Sequence, residues 1–387
     1  MLKKILHITN SMAPEKGGVS QAIYNIICDN KYAEHEVVCM DEPQTDTKVS
    51  GWAGIHRLGR GKTSYAYQPK LTDWLTKNIA NYTHVIVHGL WQYHNLATFL
   101  VIKGLKDKPR RIIMPHGMLD PYFQQARERR WKAWRNWWVW NLLEKKAVNT
   151  ADALFFTCDE ELQLASLTFK NYMPRKAFNV GLGVLTPPPF EQSMREQFLK
   201  RSARLRNEES YFLFLSRIHP KKGVDLLIDA YQSLRKEVEN LPKLVIAGPL
   251  DSSYAEKLIK KVASDTNIIF TGMLQGEAKW GAIYGCEAFI LPSHQENFGI
   301  AVVEAMACAK PVAITDKVNI YTVVEKHNVG WVFQNNISDT KKVLLKIFAG
   351  HGDRNKEKGE RGERLYNESF RFDVAAEKFV EFCEGIK

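Results

Sequence analysis

The sequence predicts an α/β protein made of two doubly wound parallel-sheet domains. Three observations carry that expectation. Short apolar runs of strand length alternate with longer amphipathic segments from residue 1 to about 182, and again from Tyr211 onward. Strands that alternate with helices build parallel sheets. Between the two halves lies GVLTPPPFEQS, whose Pro187-Pro188-Pro189 resists both helix and central strand.

In the first half, ILHIT reads as a strand and GGVSQAIYNIICDN as a helix. HEVVCM, HVIVHG, RRIIMPHG, ADALFFTC and KAFNVGLGV read as further strands, with helices between them. In the second half YFLFL, KLVIAGPL, NIIFTG, EAFILP, PVAIT and WVF are strands. The boundaries expected are 1–186, 187–370 and a final amphipathic helix, FDVAAEKFVEFCEGI, within 371–387. HGDRNKEKGERGERL reads as a solvated helix surface.

With 387 residues the chain has room for two ordinary domains. It is 45% hydrophobic and 25% charged, a globular composition. No segment approaches the ~18 apolar residues of a spanning helix. MLKKILHIT has too short an apolar stretch for a secretory signal. Six scattered cysteines without a CxxC pair point to reduced thiols, and so to a cytoplasmic chain with no disulfide frame. The net charge of +11 favours anionic partners: nucleotide sugars, acidic lipid or nucleic acid.

The most informative segment is HQENFGIAVVEAMACAKPV, from His294 to Val312. It follows a buried strand, turns at Asn297-Phe298-Gly299 and enters a short helix at Ile300. Helix N-termini at the carboxyl edge of a parallel sheet take phosphate. Glu296 and Glu304 flank that helix start and suit sugar hydroxyls. Spacing alone is weak, since roughly one Glu pair eight apart arises by chance in a chain this long. The coincidence of strand, glycine turn and helix is what gives the pair weight. A second segment, YFLFLSRIHPKKGVDLLIDAY, places Arg217 at a strand end and Lys222 in the following loop. A guanidinium fork and an ammonium point charge suit a diphosphate.

On these residues the chain resembles the group 1 glycosyltransferases, family 4, of the GT-B fold. The matching motifs are Gly17-Gly18-Val19, His116-Gly117, Arg217 with Lys222, and Glu296-x7-Glu304, spanning residues 17 to 312. The resemblance implies two Rossmann-like domains facing a central cleft, with the last helix returning to the first domain. It implies a retaining hexosyltransferase that takes a nucleotide diphosphate sugar. UDP-glucose or another UDP-hexose is the first expectation for the donor, and GDP-mannose the next. The acceptor it implies is a glycan or lipid-linked sugar in exopolysaccharide or cell-surface polysaccharide assembly.

Within that frame Arg217, Lys222 and the amides at Gly299-Ile300 stabilise the departing diphosphate, Glu304 holds ribose and Glu296 the transferred sugar. Asn297 and Phe298 lie in the same donor loop, and Met273, at the end of NIIFTGM, stands near the base. Gly17 and Gly18 open the first helix and permit close approach to a ligand. His116 at a strand end could donate to a sugar hydroxyl, or offer its backbone carbonyl. His88, Trp91 and Asp120 are acceptor-side candidates, with Tyr122 a weaker one. No metal or other cofactor is expected: Asp-x-Asp is absent, and the cations and helix end could replace a divalent ion.

Residues 127–146, RERRWKAWRNWWVWNLLEKK, hold five tryptophans among seven Lys or Arg. On a helix of roughly 100° per residue, Trp131, Trp134 and Trp138 share a stripe and Trp140 points away. Two readings stay open: a packed helix, or a peripheral seat on the anionic inner face of the plasma membrane. Other functions are weighed against transfer. These are a nucleotide-sugar epimerase or phosphorylase of the same fold, a non-catalytic nucleotide-sugar binder, a nucleic-acid binder, and a dehydrogenase, which the missing GxGxxG disfavours.

Overall fold

A computed structural model describes residues 3–13, 17–28, 30–44, 54–126, 129–350 and 352–386. The chain divides into two compact units, Met1–Gly183 with Phe372–Lys387, and Val184–Arg371.

The first unit runs β1 (Lys3–Thr9), α1 (Gly18–Ile27), β2 (Ala33–Cys39), β3 (Gly54–Arg57), α2 (Pro69–Asn78), β4 (His84–His88), α3 (Tyr93–Lys103) and β5 (Arg110–Met114). It continues with α4 (Tyr122–Gln125), α5 (Arg130–Val139), α6 (Lys145–Asn149), β6 (Ala153–Phe156), α7 (Asp159–Thr168) and β7 (Ala177–Asn179). All seven strands pair in parallel, in the order β3-β2-β1-β4-β5-β6-β7. The winding reverses between β1 and β4.

The second unit runs α8 (Gln192–Arg201), β8 (Tyr211–Leu215), α9 (Val224–Arg235), β9 (Lys243–Ala247), α10 (Ser253–Lys261), β10 (Ile268–Gly272) and α11 (Gly276–Gly285). Then come β11 (Ala288–Leu291), α12 (Ile300–Ala307), β12 (Val312–Thr315), α13 (Tyr321–Lys326), β13 (Gly330–Phe333), α14 (Ile337–Ala349) and α15 (Asp353–Leu365). Its six parallel strands are ordered β10-β9-β8-β11-β12-β13, with the reversal between β8 and β11. Ligands in such sheets sit beyond the carboxyl ends at these reversals.

Local chemistry sets the helix starts. The Ser252 hydroxyl accepts from the Ala255 amide at 3.1 Å, and the Asn336 side chain from the Asp339 amide at 2.8 Å, both as N-caps. Pro69 opens α2 where no backbone donor is needed. One face of the first sheet buries two groups of side chains. Leu6, Ile8, Val38 and Val85 pack with Leu71, Leu75 and Ile102 from α2 and α3. Val87, Ile113, Leu154 and Phe156 pack with Trp140, Val148 and Phe169.

The last helix, α16 (Phe372–Glu384), covers the opposite face of that sheet. Phe379 stacks over His7 and meets Phe155 edge-on, and the Cys383 carbonyl lies 3.0 Å from His84 Nε2. The division between the units falls at Gly183/Val184, ahead of the proline run. Val184 is bonded into the second unit, its amide to the Phe370 carbonyl at 2.8 Å and its carbonyl to the Tyr366 hydroxyl at 3.0 Å. One strand, β3, escapes the sequence pattern. Its residues, GIHR, are all half-buried at the sheet edge and show no apolar alternation.

Candidate functional site

In the second unit three loops meet at the β8/β11 reversal. After β8 the chain makes a turn at Pro220–Lys222 and passes Gly223 at φ 66 into α9. A Cβ at Gly223 would stand 2.1 Å from the Pro292 carbonyl oxygen, so both conformation and space demand glycine there. That closeness lets the His294 amide donate to the Lys221 carbonyl at 2.8 Å. The loop after β11 is pinned in turn to the one after β12. The Glu296 amide donates to the Lys317 carbonyl at 2.9 Å, and the Asn319 amide to the Glu296 carbonyl at 3.0 Å.

The side chains converge as their segments do. The Lys222 ammonium is buried and forms an ion pair with Glu296 Oε2, while Glu296 Oε1 accepts from the Asn297 amide at 3.2 Å. Burial pushes the Lys222 ammonium down to about 7, and the like charges of Lys221 and Arg217 push the same way. Arg217 is exposed at the end of β8 and forms no ion pair among the described residues.

Gly299, at φ 79, is the N-cap of α12, and Val302 is the first amide to bond back, to the Gly299 carbonyl at 2.8 Å. The amides of Ile300 and Ala301 lie ahead of that bond, as helix starts require. Glu304 is buried one turn on and pairs with Lys279 of α11 at 2.6 Å. Asn297 Oδ1 accepts from Asn319 Nδ2 at 3.4 Å. Met273 is exposed just past Gly272. The Phe298 ring faces the core. It is 4% exposed and packs at 5.9 Å from Phe370, because the αL turn at Gly299 throws it into the core. Its backbone is what it can offer a ligand.

In the first unit, Gly17 takes φ 104 ahead of α1, where its carbonyl accepts from the Ser20 hydroxyl at 2.7 Å. A Cβ at Gly18 would meet nothing within 4 Å. His116 follows β5 at φ 51, an uncommon conformation for a non-glycine residue, and keeps part of its surface open. Gly117, next to it, donates its amide to Glu161 Oε1 at 2.6 Å, and Glu161 Oε2 accepts from the amide and hydroxyl of Thr157.

His88 differs from its expected place at a pocket wall. It is 2% exposed, and its two ring nitrogens are engaged by His7 and His116 at 2.8 Å each. It therefore acts through its neighbours. Trp91, at φ 68, donates its amide to Glu144 Oε1 at 3.0 Å and turns its ring toward Phe169. Burial raises the Glu144 carboxyl to about 7. Asp120 is buried and accepts from the Tyr122 amide at 2.8 Å. It shapes the start of α4.

Residues 127 and 128 of the tryptophan-rich segment lie outside the described residues. Beyond them Trp140 is buried against Phe169, with ring centroids 4.6 Å apart. Trp131, Trp134, Trp137 and Trp138 are 85, 62, 51 and 45% exposed, and Leu142 is 71% exposed. Trp140 follows the buried Ala133 and Asn136 at i, i+3 and i+7, one face of the helix, so it turns inward while the four others stay out. Among the described residues no helix is long and apolar enough to cross a membrane.

Sequence reasoning missed Lys279, Asn319, Glu161 and the pair His7 and His35. Lys279 and Asn319 come from neighbouring segments with no motif of their own. A histidine on the buried run of each of two strands, KKILHIT and AEHEVVC, was the one available signal for the last pair.

Two parallel-sheet units, the second with Arg217 and Lys222 at its winding reversal, define an α/β enzyme of the GT-B type, a glycosyltransferase. Residues 195–363 match the family model "Glycosyl transferases group 1". It is 26% identical over 389 residues to the O-antigen chain mannosyltransferase C of Escherichia coli, covering 97% of both chains. It is 30% identical over 140 residues to the uncharacterized glycosyltransferase MJ1607 of Methanocaldococcus jannaschii, covering 35% of each. That match spans about a third of the relative's length. Among solved structures, Anabaena Alr3699/HepE in complex with UDP-glucose superposes with a TM-score of 0.75 at 14% identity, over 99% of this chain and 100% of that one.

Proposed function

We propose that the chain transfers a hexosyl group from a nucleoside diphosphate hexose to a glycan or lipid-linked acceptor. The observation that carries this is the meeting of Lys222 with Glu296 beside Arg217 and the α12 start, at the β8/β11 reversal. Departure of the diphosphate is the hard step, and fixed positive groups stabilise the charge that grows on it. Arg217 and Lys222 supply formal charge, and the amides at Gly299–Ile300 supply oriented dipoles. Two cations and a helix end match the two charges of a diphosphate, so the reading has no divalent metal. Glu304 holds the ribose hydroxyls, with Lys279 fixing its carboxylate. Glu296 binds hydroxyls of the transferred sugar while it positions Lys222. Met273 lies where the base would rest. Retention of anomeric configuration follows the family resemblance.

The full-length likeness to a protein named as a mannosyltransferase favours a mannosyl donor, GDP-mannose, over the UDP-glucose expected from the motifs. The same name supports a cell-surface polysaccharide acceptor. The exposed tryptophans of α5, flanked by Arg130, Lys132 and Arg135, support a peripheral seat on an anionic membrane, where such acceptors lie.

The test is a transfer assay with GDP-mannose, UDP-glucose and ADP-glucose in EDTA, using lipid extract as acceptor. Sugar incorporation from one donor supports the reading. Donor binding without incorporation would favour a nucleotide-sugar binder.

A further inference from the structure

Four histidines cross the first sheet in one hydrogen-bonded file. His35 Nδ1 on β2 lies 2.9 Å from His7 Nε2 on β1. His7 Nδ1 lies 2.8 Å from His88 Nε2 on β4, and His88 Nδ1 lies 2.8 Å from His116 Nε2 beyond β5. Successive rings are 5.1 Å apart, centroid to centroid. His35, His7 and His88 are buried, and Phe379 lies over His7. Only His116 keeps an open side. Every link runs in one sense, Nδ1 of one ring to Nε2 of the next.

A neutral imidazole carries one N–H and one lone pair. Burial lowers all four pKa values, those of His35 and His116 to about 4, and neighbouring histidines lower His7 and His88 further. All four rings are therefore neutral near pH 7. Three hydrogen bonds among four neutral rings can be satisfied together in two ways. Every ring carries its proton on Nδ1, or every ring carries it on Nε2. Any mixture sets two lone pairs, or two N–H groups, against each other.

The buried end decides between them. His35 Nε2 is buried and has no hydrogen-bond partner. With the protons on Nε2, that end would be an orphaned buried N–H, the rarer kind of defect. With the protons on Nδ1, it is a bare lone pair. His94 shows which of the two this interior accepts. Its Nε2 lies 2.9 Å from the His88 carbonyl, so that nitrogen must carry the proton. Its other nitrogen, Nδ1, is the one left buried without a partner.

We infer that His35 and His7, through His88, hold His116 as its Nδ1–H tautomer, which makes His116 a hydrogen-bond donor on its open side and not a base. The partner it fits is an oxygen acceptor, a sugar hydroxyl or a phosphate oxygen. The inference rests on the proposed reading only in placing a ligand there. His35 and His7 are positioning residues.

Nitrogen-15 NMR of the full-length protein, histidine-labelled and near pH 7, reads each tautomer directly. His116 is assigned by the loss of its signal in His116→Asn. The expected result is a proton on Nδ1 of His116 and on Nε2 of His94. A lone pair on His116 Nδ1 overturns the inference. In a second arm, His35→Asp sets an acceptor at the buried end and reverses the file, so that His116 Nδ1 loses its proton. An unchanged His116 in that variant overturns the relay. In the transfer assay, His116→Asn keeps a short N–H donor where His116→Asp has none, so the donor KM of His116→Asp should exceed that of His116→Asn at least ~10-fold, the worth of about one hydrogen bond. Equal loss in both variants contradicts the donor role. The NMR results do not depend on turnover, so an Nδ1–H His116 in a protein that transfers nothing sinks the functional reading alone.

Discussion

The Lys222 ammonium sits on the Glu296 carboxylate, and the pair ties the loop after β8 to the loop after β11. These are the two strands between which the second sheet reverses its winding. One contact therefore fixes the shape of the loops and places a cation and an acceptor side by side. Lys222→Ala removes the cation and leaves Glu296 without its partner. We expect kcat/KM to fall about 10²–10³-fold, the usual effect of losing one such stabilising group. Steady-state kinetics check this, and a change under threefold would reject the role. Glu296→Gln keeps the shape and should lower turnover while changing nucleotide affinity little.

Lys222 also sets a pH dependence. Its ammonium is pushed down to about 7, below its ordinary 10.5, so the unfolded chain binds more protons between those values. Stability should therefore rise with pH from about 7 toward 10.5 on account of this group. A bound diphosphate favours the charged form. Nucleoside diphosphate binding should then take up close to one proton at pH 8 and almost none at pH 6. Titration calorimetry in two buffers of different ionisation enthalpy measures the uptake. Lys222→Arg, charged throughout, should abolish it, and no uptake at pH 8 in the wild type would contradict the proposed contact.

Gly223 carries the geometry that brings Lys222 to Glu296. Gly223→Ala must accommodate a Cβ set 2.1 Å from the Pro292 carbonyl at positive φ. We expect a loss of at least ~1–3 kcal/mol of stability, read as a fall in Tm, with weaker nucleotide binding. Unchanged Tm and affinity would show that the two loops are not locked together.

The tryptophan face makes a separate prediction. Trp131, Trp134 and Trp137 are exposed, so changing all three to Ser should shift stability by no more than ~0.5 kcal/mol per site. Flotation with vesicles containing phosphatidylglycerol should recover the wild type and lose the triple variant. Equal recovery from neutral phosphatidylcholine vesicles, or of both proteins, would contradict an anionic membrane seat.

The strands with continuous apolar runs, such as YFLFL and HVIVH, were legible because both faces of a parallel sheet are buried. GIHR was not, because an edge strand of four half-buried residues carries no pattern. At the site, Gly299, Glu296, Glu304, Arg217 and Lys222 announced themselves through strand ends and glycine turns. Lys279 and Asn319 reach the same place from α11 and from the turn after β12, and only the fold brings them there. The Phe298 ring and His88 show the converse limit. A strand-end position says that a residue is near the site, while the turn at Gly299 and the histidine file decide which way each side chain faces.

The central claim is that Arg217, Lys222 and the start of α12 hold a nucleoside diphosphate without a metal. Calorimetric titration of GDP and UDP in EDTA, into the wild type and into Arg217→Ala/Lys222→Ala, tests it most directly. The account predicts saturable binding of one of them that added magnesium leaves unchanged, weakened at least ~100-fold in the double variant, or about 2.7 kcal/mol. Binding that appears only with magnesium, or that survives in the double variant, would contradict it.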